Sequence, residues 1–141
     1  MIAEISFKNK KIKEQIDELV GKPYSFIDRI KKGGIGSTRM IIEECSIDFH
    51  PYLTDTNKLK FASIEIRPKG ILVHLNKNYS HFAWVIPYYK LTIYKSKHIS
   101  IHADGSFLKC SNKSINTNND KFLSKLMEYK NENLSGLNLG I

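Results

Sequence analysis

The sequence predicts an α+β fold: a strongly bent antiparallel sheet or partly open β-barrel, with N-terminal helices and one C-terminal capping helix. Three observations carry this expectation. Apolar residues recur at helical spacing towards both termini, at Ile12, Ile16, Leu19 and Val20 and again at Phe122, Leu126 and Tyr129. Between them, from Thr38 onward, β-branched and aromatic runs follow one another, broken by turn residues. The joints between those runs are too short for crossovers, so neighbouring strands have to be antiparallel and residues 58–111 are expected to form a meander.

The segment 9–20 reads as an amphipathic helix stopped by Gly21 and Pro23. A second, shorter helix takes Ser25 as N-cap and runs through Phe26, Ile27 and Ile30 to Lys31, Lys32 and Gly33. RMIIEEC, SIDFH, LKFASIEIR, GILVHL, HFAWVIPY, KLTIYK, HISIHA and SFLKCS are the strand candidates. Asp104-Gly105 is the best single hairpin signal among the joints. Leu59 and Phe61 run out of phase with Ile64 and Ile66, which predicts a bulge near Ala62. Phe82, Trp84, Ile86 and Tyr88 share one strand face and read as a core stripe. Asp120 to Lys130 forms a helix of about three turns, N-capped by Asn118 or Asn119. Leu134 to Ile141 is interrupted by glycine, and is expected to fray or to dock on a second subunit.

With 141 residues the chain reads as one domain, 1–141: a helical extension over 1–37, the sheet and C-terminal helix over 38–133, and a tail over 134–141. No apolar run has the length of a signal peptide or of a membrane span, so a cytoplasmic protein is expected. Cys45 and Cys110 lie far apart and read as free core thiols. Two cysteines are too few for a cysteine-built zinc site.

The net charge of +8 is unevenly placed. Residues 58–113 hold ten Lys/Arg against Glu65 and Asp104, while the segments on either side are balanced. Such a block attracts phosphate-bearing partners through its summed field. Only three of the 22 basic residues are Arg, the side chain suited to bidentate phosphate recognition, so a plain solvated surface suits the lysines as well. Lys69 and Lys77 lie at turns and Lys95 and Lys97 flank another, which makes these four the candidate anion or partner contacts. Lys31, Lys32 and Arg39 form a second, weaker candidate patch.

KKGGIGSTRM, residues 31–40, has the glycine content of a phosphate loop in the reverse order. A phosphate loop runs from glycines into a helix N-terminus, whereas here a helix ends at the glycines and a strand follows. The segment is therefore read as a helix C-cap and a hinge into the sheet.

Asp48 and His50 share a face if SIDFH is a strand, but a D-x-H pair needs a third partner to bind metal or do acid–base work. His98 and His102 are too far apart on a strand for one ion to bridge. His74 and His81 flank the turn at Asn76 and are placed to meet across it, with no carboxylate beside either in sequence. No nucleophile elbow, zinc-protease or cofactor motif is present, so no catalysis, metal or cofactor is expected.

The segment AWVIPYYKLTIY resembles the strand-Pro-Tyr-strand stretch common in pleckstrin-homology-like domains, including their short bacterial members. GILVHL followed by HFAWVIPYYKL is similar to their strand, turn and second strand. The resemblance covers about residues 38–132. It implies a small scaffold that binds protein, peptide or lipid and performs no chemistry.

The expected function is thus non-catalytic binding of a protein partner or an anionic lipid surface. Two alternatives stay open. One is a single-stranded nucleic-acid binder using the lysines with Tyr89 and Tyr94. The other is a small enzyme with Asp48 and His50, joined by His74 or His81. A homo-oligomer formed through the tail is a further expectation.

Overall fold

The computed structural model describes residues 1–6, 8–53, 60–77, 80–111 and 119–139, without the side chains of Lys77 and of 136–139. Its eight strands are β1 (Ile2–Glu4), β2 (Met40–Cys45), β3 (Phe61–Arg67), β4 (Gly70–Lys77), β5 (Ser80–Pro87), β6 (Thr92–Lys95), β7 (His98–Ala103) and β8 (Ser106–Ser111). They form one antiparallel sheet in the order β1-β5-β4-β3-β2-β8-β7-β6, which is not closed. The helices are α1 (Lys10–Val20), α2 (Phe26–Lys31), the single turn α3 (His50–Leu53) and α4 (Asn119–Leu139).

Short connections make two meanders, β3-β4-β5 and β6-β7-β8, but β5 and β6 lie apart with β2 joining the two sets, so residues 58–111 do not form the single meander expected. Asp104 and Gly105 take φ of 51° and 80°, the left-handed pair of a two-residue hairpin, and bring Ala103 opposite Ser106. Pro68 and Lys69 turn β3 into β4 with Arg67 opposite Gly70. Strand β2 is the seam of the sheet: Met40 and Ile41 pair with β3, whereas Ile42 to Cys45 pair with β8. Residues from both halves, Ile64 and Trp84 on one side and Ile101 and Leu108 on the other, then close over one core. Phe122, Leu123 and Leu126 of α4 complete it.

The opposite face of β4 and β5 is covered by α1. Asn9 caps this helix, its side-chain oxygen accepting from the N–H groups of Lys11 and Ile12. Ile16 and Val20 pack on Leu72, Ala83 and Val85. Approach is closest at Gly70, where a Cβ would lie 2.3 Å from the Ile86 carbonyl oxygen and 2.7 Å from Val20 Cγ1. Only glycine fits there.

Four elements differ from the sequence-based expectation. SIDFH is not a strand: Ile47–Phe49 is a 3-10 turn that leads into α3. Pro51 has no N–H to give a ladder, and the turn swings Phe49 into the core, its ring 4.8 Å from that of Trp84 in an edge-on contact. The bulge lies in β2, between Ile42 and Glu44, while β3 pairs with β4 without interruption from Ala62 to Arg67. The tail continues α4 as far as Leu139, so Gly136 interrupts no helix. Strand β1 was not expected, being three residues long; it pairs Ile2 with Trp84. Leu59, Lys58, Lys113 and Asn118 lie outside the described residues.

Candidate functional site

Lys69 and Lys77 stand at opposite ends of one strand. Lys69 precedes β4 and Lys77 ends it, which separates them by about 26 Å along the strand; the Lys77 side chain lies outside the described residues. Lys69 is exposed at its turn, its backbone N–H donating to the Val20 carbonyl at 2.8 Å. Lys95 ends β6 and Lys97 lies in the turn to β7; Lys95 pairs with Asp120 at 2.9 Å and Lys97 is exposed. Arg39 stacks over Phe61 at 4.6 Å.

The glycine loop holds a cation. Gly33 and Gly34 take φ of 72° and 93° and close the C-terminus of α2, Gly34 donating to the Arg29 carbonyl at 2.8 Å. Lys125 of α4 donates to the carbonyls of Lys32, at 3.1 Å, and Gly34. The partly negative helix end thus recruits an ammonium, as its polarity requires. Lys32 sits over the rings of Tyr24 and Tyr129, 4.8 Å from each, and fixes one side of α2 to the body. Lys31 is exposed.

Helix α2 buries none of its residues. Phe26, Ile27 and Ile30 are 75%, 64% and 64% exposed. At 100° per residue these three fall within an arc of about 100°, bordered by Arg29 on one side and Lys31 on the other, with Lys32 opposite. The surface is apolar in the middle and cationic at its margins.

Asp48 and His50 do not share a strand face, because SIDFH is a turn leading into α3. Asp48 accepts a short hydrogen bond from the Ser106 hydroxyl. Against the upward push of burial, this bond and one from Ser46 hold its carboxyl below the usual range. His50 is exposed at the start of α3. No group of three metal-ligating side chains occurs among the described residues. Cys110 is buried, and burial first and then Glu43 push its thiol up to about 12; burial likewise raises Cys45. Neither thiol is poised as a nucleophile.

The polar network that does form was only half visible in sequence. His74 Nδ1 lies 2.9 Å from His81 Nε2, so the two histidines meet across the β4–β5 hairpin. His74 Nε2 lies 2.9 Å from Glu65 Oε1, which supplies the carboxylate missing from their sequence neighbourhood. The other Glu65 oxygen accepts from Arg67 Nε at 2.5 Å. Arg67 Nη1 donates to Asp17 Oδ1 at 3.3 Å and to the Gly21 carbonyl at 2.9 Å, which ties the end of α1 to the sheet. Burial pushes the Glu65 carboxyl up, but the hydrogen bonds and charges of His74 and Arg67 outweigh it and bring it down to about 2. Burial and then His74 push His81 down. The sequence signal was alternation: Glu65 and Arg67 occupy alternate positions of a strand whose other face is Ile64 and Ile66.

Beside this network lies a cleft of about 590 Å³ between α1 and the sheet. Arg67, His74 and Leu72 form its floor, Ile12 and Ile16 one wall, and Lys8, Lys10 and Lys13 its basic margin. No protein-family model, curated protein or solved structure matches the chain.

Proposed function

We propose that the chain is a non-catalytic binding protein of pleckstrin-homology-like architecture that seats on an anionic lipid surface through α2. The observation that carries this reading is the exposure of Phe26, Ile27 and Ile30 on a helix with no buried residue. Isolated apolar side chains on a surface are ordinary, but three on one arc form a patch that calls for a cover. Arg29 and Lys31 at its margins, with Lys22 exposed just before the helix, favour a negatively charged cover. The patch is also small. A stable protein interface takes roughly 800 Å² from each partner, more than three side chains supply, whereas shallow insertion between lipid headgroups needs no matching surface. The fold fits the architecture: an antiparallel sheet left open, with one helix packed into its core. No described helix is long and apolar enough to cross a membrane.

Sedimentation with vesicles tests the reading. Binding is expected to phosphatidylserine-containing vesicles, to fall as salt rises, and to vanish in Phe26→Glu/Ile30→Glu. Equal binding to neutral phosphatidylcholine vesicles, or none to either, contradicts it.

A second reading rests on the outer face of β6, β7 and β8. There Tyr94 meets His102 edge-on at 5.2 Å, and His102 stacks on Phe107 at 5.8 Å. An aromatic row beside Lys109 suits stacking of single-stranded bases. Lys90, Lys95 and Lys109 each face a carboxylate, which counts against it. Quenching of tyrosine emission by a single-stranded oligonucleotide, lost in Tyr94→Ala, would favour this reading over the first.

A further inference from the structure

We infer that the cleft between α1 and the β3–β4 face binds a small molecule bearing a carboxylate or phosphate group, its oxyanion held by Arg67. Arg67 is 8% exposed and its guanidinium is held from three sides, with Nε on Glu65 and Nη1 on both Asp17 and the Gly21 carbonyl. Three of its five N–H donors are thereby used. Nη2 has no partner among the described residues, and Arg67 lines the cleft. A buried guanidinium oriented by two carboxylates and offering one nitrogen to an open cavity is preorganised for an oxyanion.

The surroundings agree in charge and shape. Lys8, Lys10 and Lys13 border the cleft and make no ion pair among the described residues, against the carboxylates of Glu4 and Asp17 there. Glu65 and Asp17 are already committed to Arg67, and Glu65 also to His74. Ile5, Ile12 and Leu72 supply an apolar bed for the rest of the ligand, and the cavity has the volume of a small-molecule site. This site is separate from α2, so its test and the vesicle test fail independently.

The experiment titrates the full chain at low salt with inorganic phosphate and, separately, with octanoate, following binding by calorimetry and by the amide spectrum. Wild type is compared with Lys10→Glu/Lys13→Glu, whose exposed positions leave the fold intact, and with Arg67→Lys, which keeps the charge but not the donor geometry. At least one probe is expected to bind with Kd below about 10 mM and to shift the amides of residues 8–17 and of Arg67 and His74. Affinity should fall about tenfold or more in the double variant, while the unfolding midpoint of the free protein stays unchanged. Binding of phosphate alone identifies a phosphate ligand, and binding of octanoate alone a carboxylate with an apolar body. Failure of both probes, or binding undiminished in Lys10→Glu/Lys13→Glu, overturns the inference. Should Arg67→Lys unfold, the double variant alone decides.

Discussion

Glu65 and His74 stand opposite sides of one hydrogen bond, Oε1 to Nε2 at 2.9 Å, on neighbouring strands beneath the α1 cleft. The carboxylate accepts, so His74 carries its proton on Nε2, and in its neutral form Nδ1 accepts from His81. If His74 is charged the direction reverses and His81 accepts. Both rings cannot be protonated while Nδ1 and Nε2 remain 2.9 Å apart, since two N–H groups would then collide. Glu65 is thereby the hinge of the whole network, with one oxygen on His74 and the other on Arg67.

The pH dependence of stability should show this. The Glu65 carboxyl titrates near 4.5 when unfolded and about 2 when folded. A depressed pKa stabilises the fold above the unfolded value, and that contribution is lost as pH falls from about 4.5 through about 2. Its size is on the order of 3 kcal/mol. Urea denaturation of Glu65→Gln should show a loss of that order at pH 7 and little difference from wild type near pH 2. A variant as stable as wild type at pH 7 would rule the network out as a source of stability.

His81 should titrate below the ordinary 6.5, because burial and its neighbour His74 both disfavour its charge. Imidazole resonances followed by NMR from pH 8 to 4.5 measure this directly. Replacing His74 by Gln removes the second cause and is expected to move the His81 midpoint upward. A midpoint at or above 6.5 in the wild type is the contrary result.

Gly70→Ala should be among the most damaging single changes. The added methyl meets a backbone carbonyl, that of Ile86, as well as the Val20 side chain, and the backbone cannot turn aside cheaply. Overpacking of this kind costs about 1–3 kcal/mol, so a lowered thermal midpoint is expected, with the amides of residues 16–20 most perturbed. An unchanged midpoint would mean that both the β4–β5 pair and α1 give way there without cost.

Lys125→Met keeps the aliphatic stem but removes the ammonium that caps α2. The loss of its two carbonyl contacts should cost about 1 kcal/mol and speed amide exchange at Gly33 and Gly34 selectively. Uniform exchange rates across 26–34 before and after the change would show that α2 is held by other means.

Much of the fold was legible because local pattern and tertiary demand agree. α1 and its Asn9 cap, α2 and its Ser25 cap, the Asp104-Gly105 hairpin and the Trp84 stripe all follow from spacing and turn chemistry. Phe49 was misread because its local run looks like a strand while the core wants its ring beneath Trp84. Strand β1 is too short to show a period. The tail misleads in the opposite sense, since Gly136 lowers helix propensity without ending α4. For the candidate sites, His74 and His81 were visible as a pair, yet Glu65 and Arg67 reach them only through the β3–β4 register, which no spacing along the chain encodes. The exposure of α2 was hidden too, because its apolar residues look the same in sequence whether covered or open.

The most direct measurement uses Trp fluorescence. Trp84 is buried at 3% exposure and supplies a constant background, so Phe26→Trp places one reporter within the α2 patch. On addition of phosphatidylserine-containing vesicles, the emission of this variant is expected to shift to shorter wavelength and to be quenched by lipids brominated near the headgroup, with both effects weakening as salt rises. Emission that stays unshifted with anionic vesicles at low salt would contradict the proposal that α2 seats on a lipid surface.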